Sequence, residues 1–168
     1  GLNRATQLRR QPGSSLKPLV VYAPAVQTYG YTPASVLQDE PTNFNGYKPR
    51  NSGYAYYGPV TVRTALKNSL NVCAVSLLNQ IGISAGLNYL QEVGIPLDDR
   101  DGNLSLALGS MTYGVSPVIL AAAYSPFANG GIYYVPYFIE KITDLSGEVV
   151  YQHQPVSRQV LSTQAAYI

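Results

Sequence analysis

The sequence predicts an α+β fold that is mostly helical and carries a short β-hairpin near its end. Three observations predict it. Apolar residues recur at helical spacing in five segments before residue 130. The period then changes to that of extended chain between residues 131 and 152. Hydrophobic content is 46% against only 12% charged residues, so the chain can bury a core. Its 168 residues fit one domain.

The first helix is expected from Ser14, with Leu16, Leu19, Val20, Ala23 and Val26 on one face. Pro18 and Pro24 lie inside it and should bend it, because each removes a backbone donor. Residues 28–58 are rich in Tyr, Pro, Asn and Gly and read as a long, ordered, irregular segment. Its tyrosines (29, 31, 47, 54, 56 and 57) pack the loop with their hydroxyls in water, or else line a glycan or peptide groove. Gly58-Pro59 is expected to start a helix with Val62, Ala65, Leu66 and Ser69 on one face. Asn71 then resembles an N-cap for a helix through Val72, Val75 and Leu78 to Gly82, which leaves Ser69 at the junction.

Ser84 is expected to cap a further helix to Val93, closed by Gly94. Asp98–Asn103 is acidic, but its glycine is out of register for a calcium loop and Ser110 stands where a bidentate Glu is needed. A solvated turn is expected there. Ser116-Pro117 opens an apolar helix to about Asn129, kinked at Pro126 and stopped by Gly130-Gly131. Tyr133–Val135 and Tyr137–Ile139 read as extended chain and Glu148–Tyr151 as the return strand, with Asp144–Gly147 as the turn. Leu161–Ile168 looks like a helix start capped by Ser162 or Thr163. Both ends read as cuts, and 1–168 as a partial domain.

Several function classes are disfavoured. A net charge of +2 with no Lys/Arg run does not suit nucleic acid or an anionic membrane surface. One cysteine, Cys73, allows no internal disulfide, and its apolar neighbours suggest a buried inert thiol. With a lone His153 far away, neither a metal site nor a Cys/His pair is expected, and no cofactor is. No apolar run approaches the ~20 residues needed to span a bilayer.

The chemistry concentrates in Ser14-Ser15-Leu16-Lys17. A serine and a lysine three apart on a helix share a face. A serine hydroxyl is a poor nucleophile until a base takes its proton, and a lysine whose pKa is lowered can do so. Downstream stands Ser69-Leu70-Asn71. With Arg10–Pro18, Tyr47–Asn51, Tyr57–Val60, Ala107–Ser110, Gly114–Pro117 and Ala121–Gly131, these motifs follow one another in an order that resembles the transpeptidase domain of class A penicillin-binding proteins. The resemblance covers nearly the whole chain. Leu70 stands where the motif commonly has Asp, a position the family varies. The third motif of the family, Lys-Thr-Gly, occurs nowhere: none of Lys17, Lys48, Lys67 and Lys141 precedes Thr-Gly.

The resemblance implies a β-lactamase/transpeptidase-like fold lacking part of its central antiparallel sheet. It implies that Ser14 attacks the D-Ala-D-Ala carbonyl of a peptidoglycan stem peptide, or a β-lactam that mimics it. Lys17 would be the base, Ser69 the proton relay to the leaving group, and Asn71 a substrate-amide ligand that helps hold Lys17. An amine from a second stem would resolve the acyl-enzyme into a crosslink on the extracytoplasmic face of the bacterial membrane. The backbone N–H of Ser14 would supply half an oxyanion hole, and the strand bearing Lys-Thr-Gly the other half. The chain alone is therefore expected neither to fold stably nor to turn over without the rest of the domain, supplied in the same or a second polypeptide. Two alternatives remain at this point: a D,D-carboxypeptidase or β-lactamase relative, and a non-catalytic binding domain of the same fold.

Overall fold

A computed structural model describes residues 1–168. Its architecture is α+β, with the helices gathered around one apolar core and the strands in three separate two-stranded antiparallel ladders. There is no larger central sheet.

The first helix forms where expected, but it changes pitch twice. Gly13–Leu16 is a 3₁₀ turn, Pro18–Tyr22 is π-helical, and α1 (Ala23–Tyr29) is regular. The two prolines explain the change. Each lacks an N–H, so the ladder reorganises around them, and Ala23 N–H reaches back five residues to the Pro18 carbonyl. Gly30, in the left-handed region, closes the helix.

Residues 28–58 are not wholly irregular. β1 (Val36–Asp39) pairs with β2 (Gly58–Thr61), with Leu37 opposite Val60 and Asp39 opposite Gly58. Gly58-Pro59 therefore lies in a strand and does not open a helix. Pro59 is tolerated because β2 is an edge strand with a single neighbour. The helix starts later, as α2 (Val62–Lys67), where Thr61 Oγ1 accepts the Thr64 N–H. Of the tyrosines, Tyr31 and Tyr47 pack against the core, while Tyr29, Tyr54 and Tyr57 are exposed.

α3 (Asn71–Ile81) and α4 (Ile83–Glu92) follow. Ser84 lies inside α4 and makes no cap. α3 supplies Cys73, Ala74, Val75, Leu77 and Leu78 to the core, facing Leu16, Leu19 and Val20 of the first helix. α4 crosses the first helix so closely at Gly86 that a Cβ there would lie 2.6 Å from the Val20 carbonyl oxygen. Only glycine fits that approach.

Asp98–Asn103 is less solvated than its charge suggests. Asp101 is buried, accepting the backbone N–H of Asp98 and both the N–H and hydroxyl of Thr112. Burial by itself would raise its pKa; these bonds outweigh it and hold the carboxyl below its usual value.

α5 (Pro117–Tyr124) continues as a 3₁₀ turn through Pro126, as the proline dictates. The β-region departs from expectation in its pairing. β3 (Ile132–Tyr134) pairs with β6 (Ser157–Gln159), and β4 (Lys141–Thr143) pairs with β5 (Val149–Gln152). Tyr137–Ile139 is not a strand. The predicted turn holds: Asp144 Oδ1 accepts the N–H groups of Ser146 and Glu148. Ser162 caps α6 (Thr163–Tyr167) as expected.

Two apolar surfaces stand open. The β4–β5 hairpin is exposed on both faces. A cavity of about 550 Å³ beside the first helix is walled by Tyr22, Val26, Val62, Phe127 and Ala166.

The core makes a direct stability prediction. Leu78 is fully buried, so Leu78→Ala should lower the unfolding free energy of the domain by about 2–5 kcal/mol. Leu2→Ala, at a residue 64% exposed, should change it by less than about 0.5 kcal/mol in the same urea titration.

Candidate active site

The turn that carries Ser14 is clamped before it becomes helix. Arg10 and Val115 exchange both backbone hydrogen bonds, at 3.1 and 2.9 Å. The Gln11 amide donates to the Met111 carbonyl and accepts the Met111 N–H. At Gly109, in the left-handed region, a Cβ would collide with the Gly13 carbonyl, so the backbone behind Ser14 rests directly on the 104–109 turn. The Tyr124 hydroxyl donates to the Ser15 carbonyl. Ser14 itself is exposed, and its carbonyl accepts the N–H of Lys17. The nucleophile candidate and the amine candidate are thus one 3₁₀ turn apart on a backbone fixed from three sides.

Lys17 is the largest fully buried side chain in the protein, at 1% exposure. Its Nζ has three partners: the Ser69 carbonyl at 2.7 Å, Ser69 Oγ at 3.0 Å and Asn71 Oδ1 at 2.6 Å. An ammonium has three donors and no acceptor, so the charged form is fully satisfied. Burial nevertheless lowers its pKa from 10.5 to about 8, with the neighbouring Cys73 acting weakly the other way. In the neutral form two N–H bonds to the Ser69 carbonyl and Asn71 Oδ1 can persist, and the nitrogen lone pair can accept the Ser69 hydroxyl proton. The same geometry serves both protonation states.

Ser69 reaches this position through an unusual backbone. Its N–H bonds to the Leu66 carbonyl at 3.0 Å, and the Leu70 N–H to the Ala65 carbonyl at 2.9 Å. This pair of bonds is the motif that ends many helices, and it places one residue in the left-handed region, most often glycine. Here that residue is Ser69, with φ +53°. A side chain in that conformation costs about 1–2 kcal/mol. The hydroxyl and carbonyl that meet Lys17 both belong to this residue.

Asn71 is the first residue of α3 and not its cap. The cap is Asn51, whose Oδ1 accepts the N–H of Asn71 at 2.8 Å and that of Val72 at 3.2 Å. The Asn71 side chain spans two partners, Lys17 through Oδ1 and the Arg50 carbonyl through Nδ2 at 2.7 Å. One Nδ2 hydrogen is left over for a further acceptor. Cys73 is buried, and its thiol is pushed up to about 12 by burial and by Asp39 beside it. It is the inert thiol expected.

The structure therefore joins Lys17, Ser69 and Asn71 by direct hydrogen bonds and places Ser14 one turn before Lys17. It adds Asp39 and Asn51, to which the sequence assigned no role. Their partners lie 12–21 residues away, outside any local pattern. No group of His, Cys, Asp and Glu could hold a metal ion.

A buried amine thus stands beside a serine on one turn and a Ser-x-Asn on a facing one. Residues 2–167 match the family model described as the penicillin binding protein transpeptidase domain, and the chain belongs to that family. It is 42% identical to penicillin-binding protein 1F of Bacillus subtilis over 167 residues, covering 99% of the chain and 23% of that protein. It is 40% identical to penicillin-binding protein 1A of Pseudomonas aeruginosa, covering 91% of the chain and 19% of the relative. The crystal structure of penicillin-binding protein 1A from Haemophilus influenzae superposes with a TM-score of 0.78 at 38% identity, covering 92% of this chain and 23% of that one. A ceftriaxone acyl-enzyme complex of penicillin-binding protein A from M. tuberculosis shares the fold, with a TM-score of 0.84 at 22% identity over 98% of this chain and 42% of that one. The chain spans about a quarter of the length of the curated relatives it matches.

The strained serine can be isolated by comparing two substitutions. Ser69→Gly and Ser69→Ala both remove the hydroxyl, but only glycine relieves the left-handed backbone. The Gly variant should therefore be more stable than the Ala variant by about 1 kcal/mol in chemical denaturation. Equal stability would mean that the backbone at this position is not strained.

Proposed function

We propose that this chain carries the nucleophile and proton-transfer half of a D,D-transpeptidase centre that crosslinks peptidoglycan stem peptides and is acylated by β-lactams. The observation that carries the reading is the buried Lys17 amine held by Ser69 and Asn71. It is supported by the family, and by the fact that a relative of the same fold is described as an acyl-enzyme with a β-lactam.

Each residue then has a defined task. Neutral Lys17 takes the Ser14 proton as Ser14 Oγ attacks the carbonyl between the last two D-alanines. The developing oxyanion is met by the Ser14 backbone N–H. Ser69, bonded to the same amine, passes the proton to the departing D-alanine nitrogen. The C–N bond breaks, and the stem remains esterified to Ser14. Asn71 keeps Lys17 in place and offers its spare N–H to a substrate carbonyl. An incoming amine then attacks the ester, returns its proton through Lys17 and releases Ser14; water in its place gives carboxypeptidase activity.

The second oxyanion donor and the ligands for the substrate carboxylate are assigned to a Lys-Thr-Gly strand outside this chain. The open cavity beside the first helix is a fitting seat for the sheet that bears it. Without that strand the chain should acylate poorly, since loss of one oxyanion donor costs about a hundredfold or more. Action on stem peptides places the site on the extracytoplasmic face of the membrane. No helix of this chain is long and apolar enough to cross it.

The pH dependence follows from Lys17. With a pKa of about 8, roughly one amine in ten is neutral at pH 7. Below the pKa each fall of one pH unit lowers the neutral fraction about tenfold. Acylation of Ser14 by a fluorescent penicillin, in the polypeptide that includes the Lys-Thr-Gly strand, should rise with pH to a midpoint near 8 and then level off. Ser14→Ala should abolish labelling. A rate that falls as pH rises through 8 would make the charged amine the active form. Efficient Ser14 labelling of the 168-residue chain alone would contradict the assigned division of the site.

A further inference from the structure

Behind the three partners of Lys17 lies a second, fully buried layer. Asp39 is 0% exposed and Asn51 is 5% exposed. Asn51 Nδ2 donates to Asp39 Oδ1 at 2.8 Å, to Asp39 Oδ2 at 2.9 Å and to the Ala55 carbonyl at 3.0 Å. Asp39 Oδ2 also accepts the Tyr57 N–H at 3.0 Å. On its other side, Asn51 Oδ1 takes the first two N–H groups of α3. The neighbouring Arg50 carbonyl takes the Asn71 side-chain amide.

We propose that Asp39 and Asn51 are positioning residues for the acyl-transfer reaction: together they form a bracket that fixes Asn71, and through it the Lys17 amine, relative to Ser14. The inference rests on the acyl-transfer reading of the site. Neither residue bonds to Lys17, whose three partners lie elsewhere, so both act through Asn71.

The chemistry of the pair explains why these residue types stand here. Asn51 faces a group that can only accept on one side and two backbone donors on the other. Flipping its amide would set oxygen against the Asp39 oxygens and N–H against N–H. The Asp39 carboxyl thus fixes which way the Asn51 amide points. No cationic group pairs with Asp39. Its hydrogen bonds come from neutral donors, and the Cys73 thiol lies against it. A buried polar group of this kind must keep its partners, so the bracket resists local adjustment. It also ties the end of β1, which carries Asp39, to the start of α3. The strand pair and the helix that faces Ser14 are therefore coupled through two side chains.

Reversing the polarity of the bracket provides the test. In the full-length protein, Asn51→Asp sets two carboxyl groups against each other and should slow Ser14 acylation by fluorescent penicillin about a hundredfold, the loss expected when a catalytic group is displaced by about 1 Å. Asp39→Asn alone leaves an amide that can still accept, and should cost less than about tenfold. In the double variant, the new amide at position 39 can donate to the new carboxylate at position 51. That carboxylate still accepts the Asn71 and Val72 N–H groups. The carboxylate oxygen that replaces Nδ2 faces the Ala55 carbonyl in both variants, so acylation should recover only in part, by about tenfold over Asn51→Asp.

The double variant also brings a carboxylate one contact nearer Lys17, so the pH midpoint of its acylation should move upward from the wild-type value. Cys73, which feels both Asp39 and Lys17, is the titratable group between the bracket and the amine. A thermal melt on each variant separates loss of fold from loss of rate. If Asn51→Asp fails to fold, Asp39→Asn against the double variant decides by the midpoint alone. A double variant no faster than Asn51→Asp, or rates that follow folded fraction with an unmoved midpoint, would overturn the bracket and leave a merely structural pair. If wild-type protein is not labelled at Ser14 at all, the acyl-transfer reading itself fails. If it is labelled and Asn51→Asp equals wild type, only the bracket fails.

Discussion

A lysine amine removed from water and given three oxygen partners is the constraint on which the rest of this structure depends. Burial of an ammonium is costly, and here it is offset by a carbonyl, a hydroxyl and an amide oxygen within hydrogen-bond reach. Those partners come from a different stretch of chain, more than fifty residues on. The first helix and the α2–α3 junction must therefore be held against each other to within a fraction of an ångström. Much of the architecture can be understood as meeting that demand. α3 packs its apolar face on the first helix, α4 locks the crossing at Gly86, and the 104–115 segment grips the turn that carries Ser14.

Local irregularity collects around Lys17 and its partners. The helix that presents Ser14 and Lys17 passes from 3₁₀ to π to α between Gly13 and Tyr29, and Ser69 occupies a backbone conformation usually left to glycine. Neither feature helps stability. Both aim a side chain: the first sets the turn between the Ser14 hydroxyl and the Lys17 amine, and the second delivers hydroxyl and carbonyl from one residue to one nitrogen. Strain kept at such a position is a mark of a functional site, because the surrounding fold must over-determine it.

Much of this was legible in the residues themselves. Ser14, Lys17, Ser69 and Asn71 were marked by spacing and by family resemblance, and the core helices by apolar period. The end of α3 at Gly82, the cap at Ser162 and the Asp144 turn were written in local chemistry. The failures have physical causes. Gly58-Pro59 has the composition of a helix start, but its pairing with Val36–Asp39 depends on residues some twenty positions away. Asn71 has the composition of an N-cap, yet Asn51 does that work from a distant loop and frees Asn71 for Lys17. Asp101 looked solvated because a run of acidic residues usually is, and its burial depends on Thr112. Asp39 is not legible in the sequence, because a lone carboxyl in a loop-like stretch carries no pattern.

A base at this site requires that Lys17 hold its proton weakly. Isotope labelling of the lysine side chains, with the Lys17 resonance followed by NMR as pH is raised, reads that protonation directly. A titration midpoint near 8 is the result expected from its burial. A midpoint at the ordinary lysine value, near 10.5, would contradict the account.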